Sequence, residues 1–163
     1  METNRFILFE EMREFLNSIP SINSGGCGVA ALAMYRWIEK NMLEYKVDVI
    51  FHMFHREKNQ YKNNKKLIKT NQYCNDLVAP SHIGIQIKNV TPVLDSEKTL
   101  DKHSYVFVIK TNSEDVLINA LNNVDTWNPM FNRKKRVPLI EKRLGIDLSD
   151  VIQHDTENVE LIW

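Results

Sequence analysis

A chain of 163 residues, 43% hydrophobic and 26% charged, has the make-up of one ordinary globular domain, long enough to bury a core. Its 21 Lys and Arg balance 21 Asp and Glu, so no global field draws it to nucleic acid or a membrane surface. Two cysteines exclude a disulfide framework, Met1–Arg5 has no signal-peptide pattern, and no apolar run approaches the roughly 20 residues of a membrane span; a cytoplasmic protein is expected.

Phe6 to Phe9 with Met12, Phe15, Leu16 and Ile19 set a helical apolar period that Pro20 ends. Ser21 to Gly26 reads as a turn. A second helix then runs from Cys27 to about Asn41, with Val29, Leu32, Ala33, Met34, Trp37 and Ile38 wrapping most of its circumference, so it should be central and buried. Val47 to Phe54 alternates as a strand does. Arg56 to Lys69 carries six basic side chains against Glu57 alone, with four Asn and Gln residues between them and no evident apolar period. It reads as a mobile loop within a polar, basic insertion spanning about residues 56–75. Ser81 to Ile87 is a strand with Ile83, Ile85 and Ile87 on one face and His82, Gly84 and Gln86 on the other. Thr91 to Leu94 and Ser104 to Ile109 suggest two further strands, and Asp115 to Leu121 and Leu139 to Leu144 two helices, the second entered through Pro138. Arg133 to Arg136 and the acidic run Asp147 to Glu160 read as solvated surface. This order predicts a single α+β domain over 1–163: a buried N-terminal helix on a mainly antiparallel sheet, followed by C-terminal helices.

Chemistry concentrates at Gly25-Gly26-Cys27-Gly28, where a glycine-rich turn delivers a cysteine to the first position of the apolar helix. A helix N-terminus offers free N–H groups and positive potential, both of which favour thiolate over thiol. Gly25, Gly26 and Gly28 are expected to leave the sulfur uncrowded. His82, off the isoleucine face of its strand, is the candidate base. If the chain turns back over Lys88-Asn89, residue numbers in the hairpin sum to 177 and Asp95 falls directly opposite His82. A thiol, an imidazole and a carboxylate in that order suit nucleophilic catalysis: imidazole activates the sulfur and then protonates the leaving group, while the carboxylate fixes the ring. The Cys27 backbone N–H, with a side-chain donor from Asn23 or Ser24, could form an oxyanion hole. Asp76 and Asp101 are alternatives to Asp95.

Gly25-Gly26-Cys27-Gly28 opening an apolar helix, Ser81-His82-Ile83-Gly84-Ile85 starting a strand and Val93-Leu94-Asp95-Ser96 after it together resemble the papain-like superfamily of cysteine peptidases and transferases. The short His-to-Asp spacing is similar to compact bacterial and phage members: cell-wall amidases, bacteriocin-leader peptidases and the transglutaminase-like group. The resemblance implies a papain-like core with Cys27 as nucleophile, His82 as general base and acid, and Asp95 as orienter. It implies acyl transfer or hydrolysis at a peptide or isopeptide bond of a protein or peptide substrate, without cofactor or metal. Two positions depart from the pattern: Gly28 follows the candidate nucleophile where papain has an aromatic residue, and Ser21 stands where many relatives have the oxyanion glutamine.

Three other readings compete. A catalytically inactive papain-like adaptor would use the basic insertion for docking. A zinc site from His52, His55, Cys74 and His82 is disfavoured because His52 and His55 fall on opposite strand faces. A redox sensor would need Cys74 to approach Cys27 within disulfide reach. His103 has no evident partner in the sequence, and the aromatic pair Trp127 and Phe131 reads as a packed loop rather than a ligand cage, one that could line a cleft.

Overall fold

The computed structural model describes residues 2–54, 58–69, 81–100, 106–123 and 131–151. Among the described residues five α-helices, α1 (Glu2–Asn17), α2 (Cys27–Asn41), α3 (Lys58–Lys69), α4 (Glu114–Asn123) and α5 (Arg133–Leu144), accompany three strands, β1 (Val47–Phe54), β2 (His82–Ile87) and β3 (Val106–Thr111). The architecture is α+β with a small antiparallel sheet in the order β2-β1-β3. Buried residues from Phe9 to Val151 form one continuous hydrophobic cluster. No helix among the described residues is long and apolar enough to cross a membrane.

Helix α2 is the hub. Ten of its fifteen residues are buried, and it contacts α1, α4, α5, β1 and β2. Its apolar side chains point in every direction because it has neighbours in every direction. The glycines at its start have a different purpose from the one expected. A Cβ at Gly26 would lie 2.5 Å from the Phe131 ring, and one at Gly28 would collide with Leu121 Cδ2 and lie 3.2 Å from Ile83 Cδ1. They admit core side chains rather than clear space around the sulfur, and Cys27 itself is only 5% exposed.

The sheet follows from the pleat. β1 pairs with β2 from Val47↔Ile87 to His52↔His82, and with β3 from Val49↔Thr111 to Phe54↔Val106. Ile83, Ile85 and Ile87 are wholly buried, on the same face as their partners Val47, Val49 and Phe51.

Four elements differ from expectation. The basic stretch is not a loop: Lys58–Lys69 is helix α3, packed on β1 and β3. Tyr61 stacks on Phe107 at 4.9 Å, Leu67 is buried, and Asn64, 2% exposed, donates to Met53 Sδ at 3.7 Å. The stripe 61, 64, 67 is helical, but a polar residue at its centre hid the period. Residues 56, 57 and 70–75 of that insertion lie outside the described residues. The strand expected at Thr91 to Leu94 shrinks to single bridges at Leu94, consistent with Pro92 lacking a ladder donor. β3, expected from Ser104, is described from Val106 and extends to Thr111, two residues past the expected end; Ser104 and Tyr105 lie outside the described residues. Helix α5 starts at Arg133 rather than at Leu139, because the Asn132 side chain accepts from Lys135 N–H and caps it; Pro138 sits inside. Arg133, expected on the solvated surface, is 3% exposed and donates to the carbonyls of Leu121 and Val151.

Candidate active site: Cys27, His82 and Asp95

Two elements and one tight turn build the site. Cys27 is the first residue of α2, and the cap before it, Gly26, supplies no side-chain hydrogen bond. The first-turn N–H groups therefore have no side-chain partner from the cap. His82 opens β2, its side chain 22% exposed. Asp95 follows the bridge residue Leu94 and is 2% exposed.

The hairpin register differs from the expected one by two residues. Ile85 exchanges both backbone hydrogen bonds with Leu94, at 2.9 and 2.7 Å, so residue numbers sum to 179 rather than 177. The turn is correspondingly longer: Val90 and Thr91 N–H both bond the Ile87 carbonyl, and Asn89 takes a left-handed φ of 64°. Asp95 therefore falls opposite Gly84, not His82. A two-residue offset preserves the face, because side chains alternate with period two. Asp95 reaches His82 along the diagonal, and His82 Nε2–H donates to Asp95 Oδ2 at 2.9 Å.

Asp95 is held on both oxygens. Oδ1 accepts from the backbone N–H of Glu97 and of Lys98, each at 2.7 Å, and Oδ2 takes His82. Burial pushes its pKa up, but the His82 bond and the two backbone bonds outweigh that and keep it below the usual carboxylate range. His82 uses Nε2 for Asp95, which leaves its other ring nitrogen free for Cys27, a neighbour close enough to act on the charge of the ring. Burial lowers the His82 pKa, yet Asp95 and Cys27 together raise it to about 9, so the ring is an imidazolium at neutral pH. A protonated imidazole between a carboxylate and a sulfur is the arrangement that stabilises a thiolate ion pair.

The oxyanion candidates separate. Ser24 is exposed. Asn23 is half-buried, its Nδ2 donates to Ser96 Oγ at 3.0 Å, and its Oδ1 is buried without a partner among the described residues. A hydroxyl both donates and accepts, so the reversed amide, with Oδ1 accepting from Ser96, satisfies the same contact and frees the NH₂ group. Ser96 adjoins Asp95, which ties the amide to the same turn as the orienting carboxylate.

Two contributors escaped the sequence reading. His52, considered only as a metal ligand, is the direct cross-strand partner of His82, 8% exposed, with Nε2 unpartnered among the described residues. Burial, then the neighbouring His82 charge, drops its pKa to about 4 against the pull of Asp95, so it is neutral beside the imidazolium. Its signal was an apolar strand interrupted by one histidine on the face that carries His82. Arg13, 7% exposed, lies in the apolar stripe of α1 between Phe9, Met12 and Leu16. A charged residue on a buried helical face is the mark that could have found it. Among the described residues no group of three or more His, Cys, Asp and Glu side chains is placed to hold a metal. His55, Cys74, Asp76, Asp101, His103 and Trp127 lie outside the described residues. Phe131 packs against Gly26 in the core.

The two histidines give stability a pH optimum. His82 has a folded pKa above 6.5, so its contribution is complete below pH 6.5 and is lost as pH rises through about 9. His52 has a folded pKa below 6.5, so its contribution is complete above pH 6.5 and is lost as pH falls toward about 4, where Asp95 adds to the loss. Urea unfolding midpoints measured across pH 3.5–10 should therefore peak in the neutral range; in His82→Ala the alkaline decline should shrink.

Comparison of the chain with protein-family models, with curated proteins and with solved structures finds no match in any of the three.

Proposed function

We propose that the protein is a cysteine-dependent acyl-transfer enzyme with a papain-like catalytic arrangement, acting on an amide bond of a peptide or protein. The observation that carries the reading is the His82 ring bonded to Asp95 Oδ2 at 2.9 Å, with Cys27 at the start of α2 as its neighbour. In the first half-reaction the Cys27 thiolate attacks the carbonyl carbon, and the tetrahedral oxyanion is met by the Cys27 backbone N–H and the Asn23 amide. His82 gives its proton to the departing amine as the C–N bond breaks, leaving a thioester on Cys27. In the second, neutral His82 takes a proton from water or an acceptor amine, which attacks the thioester and returns Cys27 to the pair. Asp95 stays ionised throughout and holds the ring. Turnover should decline as pH rises through about 9, where His82 loses the proton that the leaving group needs.

Alkylation by iodoacetamide at pH 7, read at Cys27 by peptide mass spectrometry, tests the ion pair without a substrate. Wild type should react about tenfold faster than His82→Ala or more, because in this reading His82 takes the proton of the attacking sulfur. Equal rates in the two proteins would refute the pair.

A second reading, a binding module on the same fold, draws on two observations. Cys27 is 5% exposed, and a cleft of about 510 Å³ opens where Lys69 at the end of α3 meets Asp48, Lys110, Asn112 and Ser113. That reading requires Cys27 to stay unreactive toward iodoacetamide in the folded protein.

A further inference from the structure

We propose that Arg13 is a positioning residue for the candidate catalytic pair: it sets the orientation of the Asp95 carboxylate, and through it the protonation of His82. The inference rests on the Cys27–His82–Asp95 reading and concerns a residue on a different element, α1.

The turn from Asp95 to Lys98 is small and closed by one backbone bond, Asp95 N–H to the Lys98 carbonyl at 3.0 Å. Its geometry decides where the carboxylate points, since Oδ1 must stay with the N–H groups of Glu97 and Lys98 for Oδ2 to face His82. Arg13 grips both ends of this turn from outside. Its Nε donates to the Asp95 carbonyl at 2.9 Å and its Nη2 to the Lys98 carbonyl at 3.2 Å. The remaining arm, Nη1, donates to both Glu10 carboxylate oxygens at 2.9 and 3.0 Å, which balances the charge of a side chain only 9% exposed. A planar guanidinium with donors in a fixed fork holds two carbonyls at a set separation, which a lysine ammonium cannot do. Burying a guanidinium is costly, and two of its four bonds are spent on this turn alone. Arg13 bonds the carbonyls and not the carboxylate, so its influence on His82 passes through the turn's geometry.

The test is the His82 imidazole titration followed by NMR in wild type, Arg13→Gln, Arg13→Lys and Glu10→Gln, with amide exchange at Glu97 and Lys98 alongside. Arg13→Gln should lower the His82 midpoint by about one pH unit or more and speed exchange of the two amides about tenfold, as the carboxylate loses its fixed aim. Arg13→Lys should fall between it and wild type. Glu10→Gln, which keeps both carbonyl bonds, should leave the midpoint unchanged. A lower melting temperature in Arg13→Gln with the wild-type midpoint would overturn the proposal and leave Arg13 a structural residue. An equal shift in Glu10→Gln would overturn it too, by making charge rather than geometry the cause. Should Arg13→Gln fail to fold, Arg13→Lys decides by the same criterion. A wild-type midpoint near 6.5 would instead sink the catalytic reading on which the proposal stands.

Discussion

Replacing Cys27 by alanine is expected to abolish acyl transfer while leaving the fold in place. An activated ester such as p-nitrophenyl acetate serves as probe, with the acyl adduct located by peptide mass spectrometry and product release followed by absorbance. Removing the nucleophile of such a trio costs on the order of 10⁴-fold or more in rate, because no neighbouring group can replace the covalent step. Folding should survive: alanine fits the space of a cysteine, the first turn of α2 is secured by Ala30 N–H on the Gly26 carbonyl at 2.9 Å, and the loss of a small buried side chain is modest. Adduct formation at another residue at the wild-type rate would remove Cys27 from the chemistry.

Asp95→Ala should produce the largest loss of stability among the site variants, about 3–5 kcal/mol in urea unfolding at pH 7. The carboxylate is buried and accepts three hydrogen bonds, so its removal orphans the N–H groups of Glu97 and Lys98 and leaves the His82 charge without its carboxylate. An unsatisfied buried donor costs about 1–3 kcal/mol, and an unpaired buried charge more. The imidazole answers by releasing its proton: its midpoint should fall from about 9 toward its ordinary value. The pH effect of this residue then fades, and the alkaline loss of stability expected of wild type should largely vanish. Asp95→Asn separates the two effects, since its amide oxygen can still accept from the turn while its uncharged side chain cannot hold an imidazolium. It should recover part of the stability and none of the raised midpoint.

Much of this site was legible because local rules and long-range pairing agreed there. A cysteine after three small residues, at the head of an apolar run, admits few structures besides a helix start, and α2 begins and ends where its pattern does. The histidine and the carboxylate needed only the parity of a hairpin, which is why a register two residues from the expected one still brings them together. What failed to show was of two kinds. Asn64 in α3 and Arg13 in α1 are polar residues on buried faces, and a hydrophobic period counts them as breaks although their partners, Met53 and the Asp95 turn, satisfy them. The crowding at Gly26 and Gly28 was also invisible, because the ring and side chain that fill those gaps come from Phe131 and Leu121, about a hundred residues further on. A glycine states that something approaches closely; the sequence does not say whether it is substrate or core.

The strand order bears on how the chain is made. β1 emerges from the ribosome early, yet both its neighbours are later segments, β2 from residue 82 and β3 from residue 106. Until synthesis passes Thr111, the central strand has at least one row of unpaired N–H and C=O groups beside an already synthesised, almost wholly apolar α2. Cys27, His82 and Asp95 are likewise spread from residue 27 to residue 95, so the growing chain carries the thiol well before the two residues it is folded beside. The central strand is thus the part of the nascent chain most open to mispairing during that interval.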